Sequence, residues 1–534
     1  MTVTAHRRGV LSGFVAGAAA VLAQPAAARD GSVAETVDAL ARQVMAAFPD
    51  QPGLAVALVE DGATTLARGY GVLKAGEAAP VTDRTLFAIA SNTKAYTAAA
   101  LAILVDEGRL DWDAPVVRYM PGFAMSDPVI TAMLSVRDLL CHRSGLALGA
   151  GDLMLFPETT HTRADLVAGL KYLPIKGGFR AGYAYDNVLY VVAGQLIEAV
   201  TGQSWEAFVQ ARLLTPLGMT DSTPDYRRLP DGAEVAWPHA RLGPPVRGMG
   251  PLVPLGKHVS LEVAAAAGGV YASVRDHAKW MTAQLKQGVS ADGRRLWSEA
   301  SAKAMWRPEA IVDAAQRDPS AERPDRSFIT AYALGWFVEN FRDRRLVWHS
   351  GGIDGFVTLT LLLPGLNRGL AVFTNAEEDT VVRALRNGGV DRMMGRADYD
   401  WIAYARRVRA AMDEQAAGAV AATVTPPANA AAPSLPLSAY VGVWRDPWYG
   451  TATISVSRGG ALHIRFEKTP AFDGPLEPFD GDTFRTRWPT PGLEDAFIDF
   501  KVENGRAVAA TARAVSPTAD FSYDFHDLHF TPDP

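Results

Sequence analysis

Arg84-Thr-Leu-Phe-Ala-Ile-Ala-Ser91-Asn92-Thr93-Lys94-Ala-Tyr-Thr-Ala-Ala-Ala-Leu-Ala-Ile-Leu-Val105 is the stretch on which the reading of the fold turns. From Ala98 to Val105 every residue is apolar, and Gly108 follows directly after Asp106-Glu107. A helix apolar around its whole circumference is predicted to be buried, and the glycine closes it. Ser91 and Lys94 fall in its first turn. Three residues apart, they share one face. A serine hydroxyl becomes a nucleophile when a neighbouring base, such as an uncharged amine, takes its proton. The N-terminal end of a helix adds backbone N–H groups and partial positive charge, which favour an oxyanion and depress a nearby lysine pKa. S-x-x-K is a short pattern that also arises by accident, yet Ser91 is the only serine in the chain with lysine three positions on. It also sits where a helix opens after a strand-like run, Thr85 to Ile89.

The surrounding chain is an ordinary globular one, with 534 residues, 48% hydrophobic and 21% charged. That length supplies two or more domains. The net charge of −6 becomes about −8 without Arg7 and Arg8, the only charges of residues 1–28. No long basic run occurs, so a nucleic-acid footprint is absent. Arg7-Arg8 precede an apolar stretch from Gly9 to Ala23, and Ala26-Ala27-Ala28 makes a small-residue cleavage site. The pattern predicts a signal peptide of the twin-arginine type over 1–28, export to the bacterial periplasm or beyond, and no stable membrane anchor after processing. The single cysteine, Cys141, cannot form an intrachain disulfide and continues an apolar run, so it is expected in the core.

Leu54–Val59, Asp61-Gly62 and Thr64–Val72 read as a β-hairpin. Residues of about 113–260 read as helical and loop-rich, with one amphipathic helix from Leu189 to Val200 closed by Gly202. Another helix is expected over His277–Leu285, and Ala314–Arg326 reads as an exposed polar insertion. Strand character returns at Thr330–Val338, Arg345–Trp348, Phe356–Leu363 and Leu370–Thr374, with a turn at Pro364–Asn367. A last helix is expected over Tyr399–Glu414. The fold class is therefore α/β of the α+β kind: a central, mostly antiparallel sheet flanked by helices, plus an all-helical region. Its expected extent is 29–417. An Ala/Pro-rich linker without helical or strand periodicity follows at 418–436. Short strands at Tyr440–Trp444, Thr451–Val456, Ala461–Phe466, Phe484–Trp488, Ala496–Val502, Ala507–Ala512 and Phe521–Phe530 predict a small all-β barrel or sandwich over 437–534. Standing behind a linker, it reads as a lid or an assembly surface, and a cut near Pro433 is expected to change substrate range or oligomeric state.

Two further clusters carry polar chemistry. Tyr185-Asp186-Asn187, the one Y-x-N of the chain, places a phenol and an amide just before the amphipathic helix. Read alone, it is sooner a tyrosine packed on the core and an asparagine capping the helix. His349-Ser350-Gly351-Gly352 lies between two strand candidates, where glycines allow a substrate backbone to approach and leave an N–H for an oxyanion. Loose K-x-G patterns recur at Lys74, Lys176 and Lys286, but only the copy at His349 has a central hydroxyl residue and flanking strands.

S-x-x-K, then Y-x-N, then H-S-G in this order resembles the serine β-lactamase-like hydrolases, which include class C β-lactamases, D-Ala-D-Ala carboxypeptidases, D-aminopeptidases and related esterases. Flanks at Leu139-Leu-Cys-His-Arg-Ser-Gly-Leu146, Gly268-Gly-Val-Tyr-Ala-Ser-Val-Arg-Asp276 and Gly351-Gly-Ile-Asp-Gly-Phe356 are similar too. The tail resembles the lipocalin-like barrel appended to some members. The resemblance implies Ser91 as nucleophile, Lys94 and Tyr185 as general base and proton relay, and Asn187, His349 and Gly351 as substrate contacts. Backbone N–H groups of Ser91 and Gly352 become the oxyanion hole. It implies no metal and no cofactor, and a small-molecule or short-peptide substrate. His526 and His529, at odd spacing in an expected strand, point to opposite faces rather than to one metal.

One departure bears on substrate. β-Lactamases and carboxypeptidases usually carry lysine at the position of His349, and a fixed cation there grips a carboxylate. Imidazole, with an unperturbed pKa near ~6.5, is mostly neutral at pH 7. Ester or D-amino-acid amide substrates are therefore expected ahead of β-lactams or D-Ala-D-Ala peptides. A penicillin-recognising sensor that acylates without turnover is the rival of another class.

Overall fold

The computed structural model describes residues 31–533 except 230–231, 257–260, 313–326, 328, 422 and 458. The expected signal peptide and the insertion at 314–326 lie outside the described residues. Among the described residues no helix is long and apolar enough to cross a membrane.

Eight antiparallel strands form the central sheet in the order Ala63–Gly71, Gly53–Glu60, Arg368–Thr374, Phe356–Leu363, Arg344–Ile353, Phe337–Phe341, Thr330–Tyr332 and Ala310–Val312. The first hairpin turns at Asp61 (φ 50°) and Gly62 (φ 81°), with Glu60 opposite Ala63. Two left-handed residues are what a two-residue turn between twisted strands requires. Leu54 to Val59 are fully buried because a neighbouring strand flanks each edge and helices cover both faces.

One face is covered by Val33–Ala47, Asp379–Met393 and Trp401–Ala421. The first of these starts at a capping box, Ser32 Oγ accepting from the Glu35 N–H while the Glu35 carboxylate accepts from the Ser32 N–H. The other face carries Val274–Leu285 and the helical region, at whose centre lies Thr93–Asp106. In that helix every residue from Thr93 to Leu104 is buried, and Val105 is only partly so. The amphipathic helix runs Val188–Thr201 and ends on Gly202 with φ 73°.

The structure corrects several boundaries. Thr85–Ile89 holds only a two-residue strand, Phe87–Ala88, paired with Tyr271–Ala272. Thr330–Val338 is not one strand, because the chain breaks at Ala333–Trp336, where Gly335 has φ 76°. A Cβ on Gly335 would stand 2.7 Å from the Lys94 carbonyl oxygen, so glycine lets this loop press on the buried helix. His349–Gly352 lies inside the strand Arg344–Ile353 rather than between strands, with Gly351 opposite Thr358. The last helix reaches Ala421, into the stretch read as aperiodic linker.

The C-terminal region is a closed eight-stranded antiparallel barrel, strands running from Gly442–Asp446 to His529–Pro532. Asp473–Asp480 is an additional strand, and Phe521–Phe530 is mostly turn and 3₁₀ helix before the short last strand. The barrel does not hang free. Its apolar core is continuous with that of the helical region. Thr160 N donates to Lys468 O at 2.7 Å, Gly151 N to Asp524 Oδ2 at 2.9 Å, and Lys176 pairs with Asp527.

Candidate active site

Ser91 lies on a 3₁₀ turn, Ala90–Asn92, that runs into the buried helix. Ala90 has φ 45°, an unusual conformation for a residue with a side chain, and it turns Ser91 out of the core. Ser91 is part-exposed, whereas Lys94 beside it has no exposure. Lys94 Nζ is 3.0 Å from Ser91 Oγ, 2.7 Å from Asn187 Oδ1 and 3.1 Å from the Ala267 carbonyl oxygen. Burial brings its pKa from 10.5 to about 7, against the opposing pull of Asp152 and Asp186. A neutral amine carries two N–H donors and one lone pair. The two carbonyl oxygens take the donors, which leaves the lone pair for the Ser91 hydroxyl proton.

Tyr185 stands with its phenol at the Ser91 hydroxyl. Burial pushes its pKa well up, and the contact with Ser91 draws it partly back. Its ring lies under Lys94 Nζ at 4.8 Å, beside the His142 imidazole at 4.1 Å between centroids. The three groups named from S-x-x-K and Y-x-N thus meet at one point. Asn187 joins them by bonds within the protein: its Oδ1 accepts from Lys94 and its Nδ2 donates to Asp152 Oδ2 at 2.8 Å.

The His349 strand crosses directly behind the Ser91 turn. A Cβ on Gly351 would stand 2.2 Å from the Ile89 carbonyl oxygen and 3.0 Å from the Ala90 Cβ. Asn92 Nδ2 and the Ile89 carbonyl oxygen both meet Thr358 Oγ1 at 2.8 Å on the partner strand. Gly352 has open space where a side chain would be. His349 is buried, with Nδ1 2.5 Å from the Ser350 carbonyl oxygen and Nε2 2.9 Å from the Tyr332 hydroxyl. Nδ1 therefore carries the proton and Nε2 accepts. Burial, with Lys94 nearby, lowers its pKa to about 3, so the imidazole is neutral.

Two features of the site escaped the motifs. Asp152, fully buried, holds Asn187, and burial raises its pKa to about 8. Phe521, from the barrel, meets the Tyr185 ring edge-on at 5.8 Å. Neither belongs to a pattern visible in the chain. Away from the site, His526 lies on the 3₁₀ turn Phe525–Asp527 and not on a strand with His529, which corrects that expectation. Ligand atoms of Asp524, His526 and Asp527 fall within 4.8 Å of one another, but the Lys176 ammonium already occupies Asp527. Cys141 is a buried thiol pushed up by burial, without a part in this geometry.

The family model for beta-lactamase matches residues 41–391, and that for a domain of unknown function, DUF3471, matches 426–532. An unguisins hydrolase of Aspergillus campestris is 32% identical over 427 residues, 76% of this chain and 74% of its own. Among solved structures, the octameric penicillin-binding protein homologue from Pyrococcus abyssi shares the fold with a TM-score of 0.57 at 21% identity, covering 90% of this chain and 98% of its own. The D-amino acid amidase from Ochrobactrum anthropi SV3 gives a TM-score of 0.55 at 23% identity over 68% of this chain and 98% of its own. With a matching family model over most of its length, a relative of this identity, and the mixed sheet-and-helix fold, the chain belongs to the β-lactamase family of serine hydrolases.

Proposed function

We propose that this protein is an exported serine hydrolase that cleaves ester or amide bonds through an acyl-enzyme on Ser91. The observation that carries the reading is the Lys94 amine, sealed from solvent 3.0 Å from Ser91 Oγ and uncharged for much of its time near neutral pH. Lys94 takes the Ser91 proton as Oγ attacks the carbonyl. The oxyanion is held by the N–H groups of Ser91 and Gly352. Tyr185 passes the proton to the departing alcohol or amine, and water then frees the acyl group.

A neutral His349 offers no fixed cation for a substrate carboxylate, which favours esters and D-amino-acid amides over β-lactams or D-Ala-D-Ala peptides. The name of an unguisins hydrolase among the similar proteins supports hydrolysis, and that of a D-amino acid amidase the amide side of that choice. A fluorophosphonate is expected to add its mass at Ser91 and to leave the Ser91→Ala variant unmodified. Labelling that persists in Ser91→Ala removes the reading. p-Nitrophenyl esters, D-amino-acid amides and nitrocefin then rank the substrate classes, and a burst without steady turnover would favour the sensor instead. Arg7-Arg8 before an apolar segment support export by the twin-arginine route, and replacing both by lysine should keep the protein in the cytoplasm.

A further inference from the structure

The polar groups nearest Lys94 include one that no motif contains. Asp152 sits at the end of a tight turn, Gly149–Asp152, in which Gly149 has φ 71° and Gly151 φ 80°. Its carboxylate is fully buried. One oxygen, Oδ2, accepts from Asn187 Nδ2 at 2.8 Å, and the other, Oδ1, has no hydrogen bond of ordinary geometry. A buried carboxylate costs free energy unless hydrogen bonds or an opposite charge compensate it. Here the chain Asp152–Asn187–Lys94 is continuous, with steps of 2.8 and 2.7 Å. An asparagine amide can turn over, exchanging oxygen for nitrogen. The oxygen that Asp152 presents to Nδ2 favours the orientation that turns Oδ1 to the lysine.

The turn is held both by the hydrolase region and by the barrel. Gly149 N donates to the Tyr185 carbonyl oxygen at 2.8 Å, and a Cβ on Gly149 would stand 2.6 Å from the Phe521 carbonyl oxygen. Asp524 Oδ2 accepts from Gly151 N at 2.9 Å. The Ser522 hydroxyl stands close enough to the Asp152 carboxyl to favour its ionised form. All of these barrel contacts come from one loop, Phe521 to Asp524, between the last two barrel strands.

We propose that Asp152 is a positioning residue for the Ser91–Lys94 pair, acting through Asn187, and that the barrel loop Phe521–Asp524 holds it there. The inference rests on the acyl-enzyme reading above. It gives the C-terminal barrel a part in the catalytic centre of its own chain.

Asp152 and Lys94 share one buried field, so their protons leave as a pair rather than independently. Burial lowers Lys94 to about 7 and raises Asp152 to about 8. Other ionisable groups facing the pair are Asp186, His142, His349, Tyr185, Tyr190 and Asp524, of which the two histidines are held neutral by burial. Asp152 in its ionised form keeps the proton on Lys94. Replacing it by asparagine removes that hold, so Lys94 should lose its proton at lower pH.

The test is the rate of fluorophosphonate labelling of the full-length protein between pH 5 and 9.5, which needs no knowledge of the natural substrate. Wild-type labelling should rise with pH in two overlapping steps. In Asp152→Asn it should rise in one step, shifted down by about one pH unit. Ser522→Ala removes the hydroxyl dipole that favours the ionised carboxylate and should move the upper step the other way, by a few tenths of a unit to about one unit. Ser522→Ala changes one hydroxyl in a loop, so it decides the matter should Asp152→Asn fail to fold. If the folded variants keep the wild-type profile and lose only amplitude, Asp152 is a packing group and the inference falls while the acyl-enzyme reading stands. If wild-type protein is not labelled at Ser91, the reading falls and takes the inference with it.

Discussion

Lys94 Nζ lies closer to Asn187 Oδ1, at 2.7 Å, than to Ser91 Oγ, at 3.0 Å. The amide and the Ala267 carbonyl oxygen take up the donors of the amine, and a donor-saturated neutral amine turns its lone pair to the hydroxyl. In the charged state the third N–H would point at Ser91 Oγ, and the amine could not take the serine proton. Reactivity and protonation state are thereby tied together at one atom.

Labelling and turnover should therefore fall as pH drops through about 7, the value to which burial brings Lys94. The base is productive when neutral, so the limb rises with pH. Lys94→Met should lower acylation by roughly 10²–10⁴-fold, the usual worth of a general base. The same substitution should raise stability. The folded-state pKa is depressed, so unfolding takes up a proton between pH 7 and 10, and the lysine destabilises the fold most fully at pH 7 and below. A shift from 10.5 to about 7 corresponds to an upper bound on the order of 4–5 kcal/mol. Thermal melts at pH 6.5 with a lower midpoint for Lys94→Met would contradict this.

His349 should not be the source of that limb. Its pKa is lowered to about 3, and both ring nitrogens are engaged, with Ser350 and Tyr332. His349→Gln should change turnover while leaving the midpoint of the labelling profile within a few tenths of a pH unit. A profile that flattens in His349→Gln would reassign the titration to the imidazole. His349→Lys adds a donor cation where a carboxylate would bind and should raise nitrocefin turnover relative to ester turnover.

Spacing alone brought Ser91 and Lys94 together, whereas Tyr185, which read alone as a tyrosine packed on the core, joined them only through the family resemblance. Asp152 was not legible, because its partner Asn187 is 35 residues away and the turn between has no fixed pattern. The helix Asp379–Met393 was hidden by Gly388-Gly389, which break helical propensity. Their purpose is contact: a Cβ would stand 2.9 Å from Leu40 Cδ2 at Gly388 and 2.5 Å from Leu370 Cδ2 at Gly389. Pro475 and Pro478 concealed the strand Asp473–Asp480 in the same way, since proline argues against a central strand. In each case tertiary contact overrode a sound local rule.

Gly351 and Gly352 should respond differently to alanine. At Gly351 a Cβ meets the Ile89 carbonyl oxygen at 2.2 Å and Thr358 Oγ1 at 2.6 Å, whereas at Gly352 nothing lies within 4 Å. Gly351→Ala must push the strand off the Ser91 turn, and a misplacement of ~1 Å costs about 10²-fold in rate. Gly352→Ala should lose less than about tenfold, since the proposed oxyanion role needs its N–H and not its side-chain space. Equal losses in the pair, measured as labelling rates on folded protein, would separate the strand from the oxyanion site.

The barrel should not melt as an independent domain. Its buried side chains form one apolar cluster with those of the helical region, and Gly151–Asp524, Thr160–Lys468 and Lys176–Asp527 bridge the two. Domains joined only by a linker unfold separately, but units that share a core lose it together. Scanning calorimetry of the full-length protein should give one transition. Deletion from residue 433 onward would leave the 149–152 turn without Phe521 and Asp524, so the shortened protein should melt at lower temperature and label more slowly at Ser91. Two resolved transitions, with labelling unchanged after the deletion, would mean that the bridging contacts contribute nothing to the catalytic centre.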